Sequence, residues 1–151
     1  MDSRSVHAYI IGEHGDSELA VWSSANVSGI GINDFCELRG HYEHDEAMDR
    51  IYRTVRDSAY EIIERKGATY YGVAMAVSRI AESIIRNEHS VLPVSSLMEG
   101  EYGLTDLCIS VPTIVSAKGA EQVLEIPLSQ EEKEKLQKSA AELKKVLDSA
   151  I

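Results

Sequence analysis

Residues 90–127 read SVLPVSSLMEGEYGLTDLCISVPTIVSAKGAEQVLEIP, and the parsing of this stretch decides the fold. It holds three β-rich runs, Ser90–Met98, Asp106–Ser116 and Ala120–Pro127, separated only by the turns Glu99–Leu104 and Ala117–Ala120. Turns this short between β-rich runs predict an antiparallel meander. Outward on the C-terminal side, Ser129-Gln-Glu-Glu132 behind Pro127 is a capping-box signature. The helix it opens carries Leu136, Ala140, Leu143, Leu147 and Ala150 on one stripe. On the N-terminal side, Met48, Ile51, Val55, Ala59, Ile62 and Ile63 fall at helical spacing within about 47–66. Gly67 interrupts, and the more uniformly apolar run Ala68–Arg86 predicts a second helix, the buried one of the pair.

The first forty residues are less regular. Val6–Gly12 and the looser run Leu19–Val27 predict strands, and Gly29, Gly31 and Asn33 then break the pattern. The polar stretch Glu37–Glu46 predicts a surface loop feeding the first long helix. The order strands, helices, strands, helix gives an α+β fold rather than a doubly wound parallel sheet. At 151 residues the chain is one domain's worth, 1–151, long enough to bury a core. Its first predicted strand starts close behind Met1, as in a natural domain or in a piece of a longer protein.

A net charge of −10 argues against nucleic acid or an anionic membrane as the main partner. No apolar run has transmembrane length, and the two cysteines, Cys36 and Cys108, suit a reducing cytosol better than a disulfide framework. Neither cysteine has a CxxC or a nearby histidine, so no structural metal site is expected. No GxGxxG lies between a strand and a helix, so nothing in the sequence cradles a pyrophosphate.

Among the five histidines, His41, His44 and His89 read as solvated or unremarkable residues. His14, in Gly12-Glu-His-Gly-Asp-Ser17, differs in its setting. Its flanking glycines permit unusual backbone angles and leave room beside the ring, and Glu13 and Asp16 favour a protonated imidazole. These features suit a general acid/base, and they equally suit a strand-ending turn that happens to hold a histidine. No serine or cysteine nucleophile stands at a triad-forming spacing. Thr69, at the start of the second helix, reads locally as a cap of its own helix.

Four stretches in order, VHAYIIGEHGDSE, VWSSANVSGI, ERKGATYYGVAMAV and LCISVPTIV, resemble the C-terminal half of bacterial L-lactate dehydrogenases, in the lactate/malate dehydrogenase family. The resemblance runs from about Arg4 to Leu147, and GEHGDS and KGATYYG are its most specific parts. The related malate dehydrogenases usually have glycine where this chain has Glu13, which favours lactate; malate or another 2-hydroxy acid is the alternative. The resemblance implies that His14 exchanges a proton with pyruvate or lactate, that Thr69 lines the substrate pocket, and that Val73 packs against the nicotinamide of NAD. His7 matches a histidine of an interface anion site that takes fructose 1,6-bisphosphate as activator. A cytoplasmic, allosteric homotetramer of glycolysis and fermentation is the expected context, with no metal. The family's NAD-binding domain, the aspartate that orients the histidine and the arginines that hold substrate are not found in these residues. The 151 residues by themselves are therefore expected to be inactive. They could instead act as a non-catalytic oligomerisation and anion-binding module, or with a separate N-terminal piece. The surface near Thr69 and Val73 is expected to be apolar and open.

Overall fold

The computed structural model describes residues 2–150, with the side chain of Ala150 outside the described set. After a 3-10 turn at Ser3–Ser5 come five two-residue strands: β1 (Val6–His7), β2 (Ile10–Ile11), β3 (Leu19–Ala20), β4 (Asn26–Val27) and β5 (Ile30–Gly31). The predicted strand Val6–Gly12 is thus split, and its parts join different sheets. β1 lies antiparallel to β4, which also pairs with β5, while β2 pairs with β3 through Ile10–Ala20 and Ile11–Leu19. The predicted strand Leu19–Val27 is split as well, because Trp22–Ala25 is a turn whose serines bond elsewhere. Ser24 Oγ donates to Pro127 O at 2.6 Å, and Ser23 N–H donates to Glu132 Oε1 at 3.0 Å.

A short helix, α1 (Ile32–Leu38), occupies residues read from sequence as a glycine break and the start of a loop. Two long helices follow, α2 (Asp45–Lys66) and α3 (Tyr71–Arg86). α2 has acids in its first turn and Arg65 and Lys66 in its last, matching the helix dipole. Gly67, at φ 81°, ends it in the left-handed region that glycine adopts without strain. Asn87 ends α3 in the same way.

The second helix is not buried as expected. Every residue of α3 from Tyr71 to Arg79 is exposed, Met75 at 72%, and only its C-terminal half packs, where Ser83 Oγ donates to Val115 O at 2.9 Å. On α2 the apolar stripe Ile51, Val55, Ile62 and Ile63 faces outward. The half-buried face is instead Met48, Tyr52 and Arg56, at i, i+4, i+8. Amphipathic periodicity requires a cover for the apolar stripe, and among the described residues Ile51, Val55, Ile62 and Ile63 stay exposed.

The meander is present: β6 (Ser90–Glu99), β7 (Thr105–Ser116) and β8 (Gly119–Val123), in spatial order β6-β7-β8 and antiparallel throughout. β8 stops short of the predicted Pro127. There the Tyr102 hydroxyl replaces the ladder, accepting from Ile126 N–H at 2.8 Å and donating to Leu124 O at 3.1 Å. Pro93 of β6 stands opposite Pro112 of β7. Pro112 O accepts from Leu124 N–H at 2.8 Å, so Pro112 turns its polar groups away from β6 and no β6–β7 bond is lost to either ring.

β7 alternates buried and exposed up to Ile109, then is mostly buried on both faces where α3 covers its outer side. Its inner face packs on β2, β3 and α4 (Gln130–Ala150), giving a core of Ile11, Leu19, Met98, Ile109, Val111 and Leu136 with their neighbours. The capping box forms: Ser129 N–H donates to Glu132 Oε2 at 2.7 Å and Glu132 N–H to Ser129 Oγ at 3.2 Å. Leu136 and Ala140 are buried and Leu143 packs beside them, whereas Leu147 is exposed; Ala150 lies outside the described side chains.

Candidate active site

Gly12 directly follows β2 and forms a bridge with Ser110 of β7: Gly12 N–H donates to Ser110 O at 2.9 Å and Ser110 N–H to Gly12 O at 3.1 Å. The segment 13–18 then turns back towards β3, closed by Gly15 N–H to Glu13 O at 2.9 Å. Both glycines serve the packing of this turn. Gly12 has φ 103°, and a Cβ there would stand 2.9 Å from Ser139 Oγ and 3.2 Å from a Leu19 methyl. A Cβ on Gly15 would meet Glu13 Oε1 at 2.4 Å, because that carboxylate folds back across the turn.

The two acids beside His14 are also engaged elsewhere. Glu13 Oε2 accepts from Ser17 Oγ at 2.7 Å, and Asp16 Oδ1 accepts from the Tyr60 hydroxyl at 2.6 Å. The imidazole of His14 is left exposed at the tip of a turn that is held from below, and no described residue hydrogen-bonds it. It borders a cleft of about 360 Å³ whose other walls include Glu18, Arg56, Ser58, Pro93 and Ser110. Burial pushes the Glu18 carboxyl above its ordinary value, against the opposing charges of His14 and Arg56. The Tyr52 hydroxyl donates to Glu18 O, and burial, with Glu18 nearby, raises that phenol too.

Tyr52, Arg56 and Tyr60 thus bring one face of α2 to the His14 turn. The apolar stripe of α2 concealed them in the sequence; their i, i+4, i+8 spacing was the available signal. Arg56 Nε is paired with Asp57 Oδ1 at 2.8 Å.

The other residues singled out lie apart from this cleft. Thr69 is half-buried in the link before α3 and does not cap it: the residue ahead of α3 is Tyr70, with no side-chain cap bond. Val73 is 52% exposed on the first turn of α3. Neither is among the residues that line the His14 cleft. His7 is exposed on β1, opposite Asn26. His44 is not merely solvated: its Nε2 lies 2.9 Å from Asn33 Oδ1. His89 Nδ1 lies 3.3 Å from Glu121 Oε1. Cys36 and Cys108 are free thiols. Among the described residues no three histidine, cysteine or acidic side chains gather as a metal site, and no helix is long and apolar enough to cross a membrane.

The model for the lactate/malate dehydrogenase alpha/beta C-terminal domain matches residues 1–151. An L-lactate dehydrogenase of Acetivibrio thermocellus is 53% identical over 147 residues, covering 97% of this chain and 46% of that protein. The L-lactate dehydrogenase of Lacticaseibacillus casei is 48% identical over 151 residues, covering 100% and 46%. Among solved structures, the minor L-lactate dehydrogenase of Enterococcus mundtii in its ligand-bound form superposes with a TM-score of 0.94 at 43% identity, covering 100% of this chain and 48% of that one. Its ligand-unbound form gives 0.90. The chain spans about half the length of the relatives it matches.

Proposed function

The chain belongs to the lactate/malate dehydrogenase family, as its alpha/beta C-terminal domain, and from that premise we propose that it is the substrate-binding, catalytic part of an NAD-dependent L-lactate dehydrogenase. The observation that carries this reading is an exposed imidazole on a rigidly tied turn, beside a cleft holding Arg56 and Ser110. His14 donates a proton to the carbonyl oxygen of pyruvate and recovers it from the hydroxyl of lactate. The same ring nitrogen thus serves as acid in reduction and as base in oxidation. NAD, when bound, supplies or accepts the hydride. On this chain only Val73 is assigned to it, offering an apolar surface to the nicotinamide; with no glycine-rich loop in the sequence, the pyrophosphate is held elsewhere.

Thr69, half-buried in the link before α3, is assigned to the substrate pocket of the complete enzyme. His7, exposed on β1, is assigned to an effector site for fructose 1,6-bisphosphate, completed by a second subunit. The complete protein is then a cytoplasmic homotetramer of fermentative glycolysis under allosteric control, and residues 1–151 alone do not turn over.

Pyruvate reduction by NADH, measured on the full gene product and on His14→Asn, tests the reading. A fall of about 10²- to 10⁴-fold in kcat supports it. Turnover of oxaloacetate but not pyruvate would move the activity to malate. No turnover of either, with sedimentation showing oligomers and His7-dependent sugar bisphosphate binding, would leave an association module, the reading that the open apolar face of α3 favours.

A further inference from the structure

Ser139 of α4 is fully buried, 126 residues from the turn it touches. Its Oγ accepts from Glu13 N–H at 2.8 Å and lies 3.1 Å from Ser17 Oγ. Ser17 Oγ in turn donates to Glu13 Oε2 at 2.7 Å. Each hydroxyl has one proton. That of Ser17 is committed to the carboxylate, so the proton between the two serines belongs to Ser139. The bonds then run one way round a closed ring: Glu13 amide to Ser139, Ser139 to Ser17, Ser17 to the Glu13 carboxylate.

The ring starts and ends on the residue before His14. It fixes the Gly12–Glu13 peptide, already tied to β7 at Ser110, and folds the Glu13 side chain away from the imidazole. Both neighbouring glycines are shaped around it: Gly12 leaves room for Ser139 Oγ, and Gly15 for the Glu13 carboxylate. We propose that Ser139 is a positioning residue which, through Glu13 and Ser17, sets the direction in which His14 presents its proton. The proposal rests on the assignment of His14 as proton donor. Ser139 touches no reacting atom, so its loss lowers kcat and leaves KM in place.

The test is made on the full gene product with Ser139→Ala, Ser17→Ala, both together, Glu13→Gln and Glu13→Ala. Each serine variant is expected to lose about tenfold in kcat for pyruvate, with KM within about twofold. The double variant is expected to fall no further than the worse single, because one ring is broken only once. Glu13→Gln keeps an acceptor for Ser17 and is expected within about threefold of the parent, against about tenfold lost in Glu13→Ala. Parent-like kcat in both serine variants, or losses that multiply in the double, would overturn the proposal. If the parent shows no turnover, the proton-donor reading fails and the ring is judged separately by NMR of ¹⁵N-labelled histidine. Ser139→Ala is then expected to shift or broaden the His14 ring signals and leave those of His89 unmoved. Unchanged His14 signals would refute the ring. Should Ser139→Ala fold poorly, Ser17→Ala, at a half-buried site, carries the same comparison.

Discussion

The meander with α4 and the α2–α3 pair treat apolar side chains in opposite ways. Met98, Ile109, Val111 and Leu136 are no more than 1% exposed, whereas Ile51, Val55, Val73, Met75 and Val77 lie open. Fully burying such a side chain is worth about 1.5–3 kcal/mol. The first region collects that stabilisation within the chain, and the second collects it only when another surface covers it. Hydrophobic periodicity therefore reports that a face is made to be covered and says nothing of what covers it.

The contrast breaks first if its stable side is not stable. Ile109→Ala is expected to cost about 2–5 kcal/mol in urea unfolding, and a loss under about 1 kcal/mol would move the core elsewhere. Gly12→Ala joins a positive φ to a Cβ at 2.9 Å from Ser139, so a loss of about 1–3 kcal/mol is expected from the same measurement. Glu132→Ala removes the capping partner of Ser129 and the acceptor of Ser23, for about 1–2 kcal/mol.

That carboxylate also gives a pH signature. Burial alone would raise Glu132, but hydrogen bonds from Ser23 and Ser129 together hold it below the ordinary glutamate value. A carboxyl lowered on folding contributes stability above its unfolded pKa and loses it as pH falls through the folded one. Glu132→Gln should therefore flatten the acid limb of the stability curve. The smallest effects belong to the open side: Met75→Ser and Val77→Ser should leave chain stability within about 0.5 kcal/mol while raising the monomer fraction in sedimentation. A loss of about 2 kcal/mol there would mean α3 is covered within the chain after all.

What the sequence disclosed follows from how local each signal is. The Ser129–Glu132 box, the Gly67 break and the meander are written in neighbouring residues and recur in the structure. The split of Val6–Gly12 depends on which distant strand each half meets, and α1 was hidden behind glycines taken only as breakers. At the site, GEHGDS marked the position of His14 but misassigned its neighbours. The glycines make room for Ser139 and for Glu13 itself, and the acids bond Ser17 and Tyr60. Only the fold could disclose partners that lie 44 and 126 residues away.

The facing prolines have a consequence for how these molecules meet one another. β6 is an outer strand of its sheet, and Pro93 turns its nitrogen away from β7, where a strand from another molecule would have to bond. A foreign strand templating on that edge finds a donor missing near its middle and the proline ring in its path. One residue thus takes a backbone donor out of the edge that β6 would offer to such a strand.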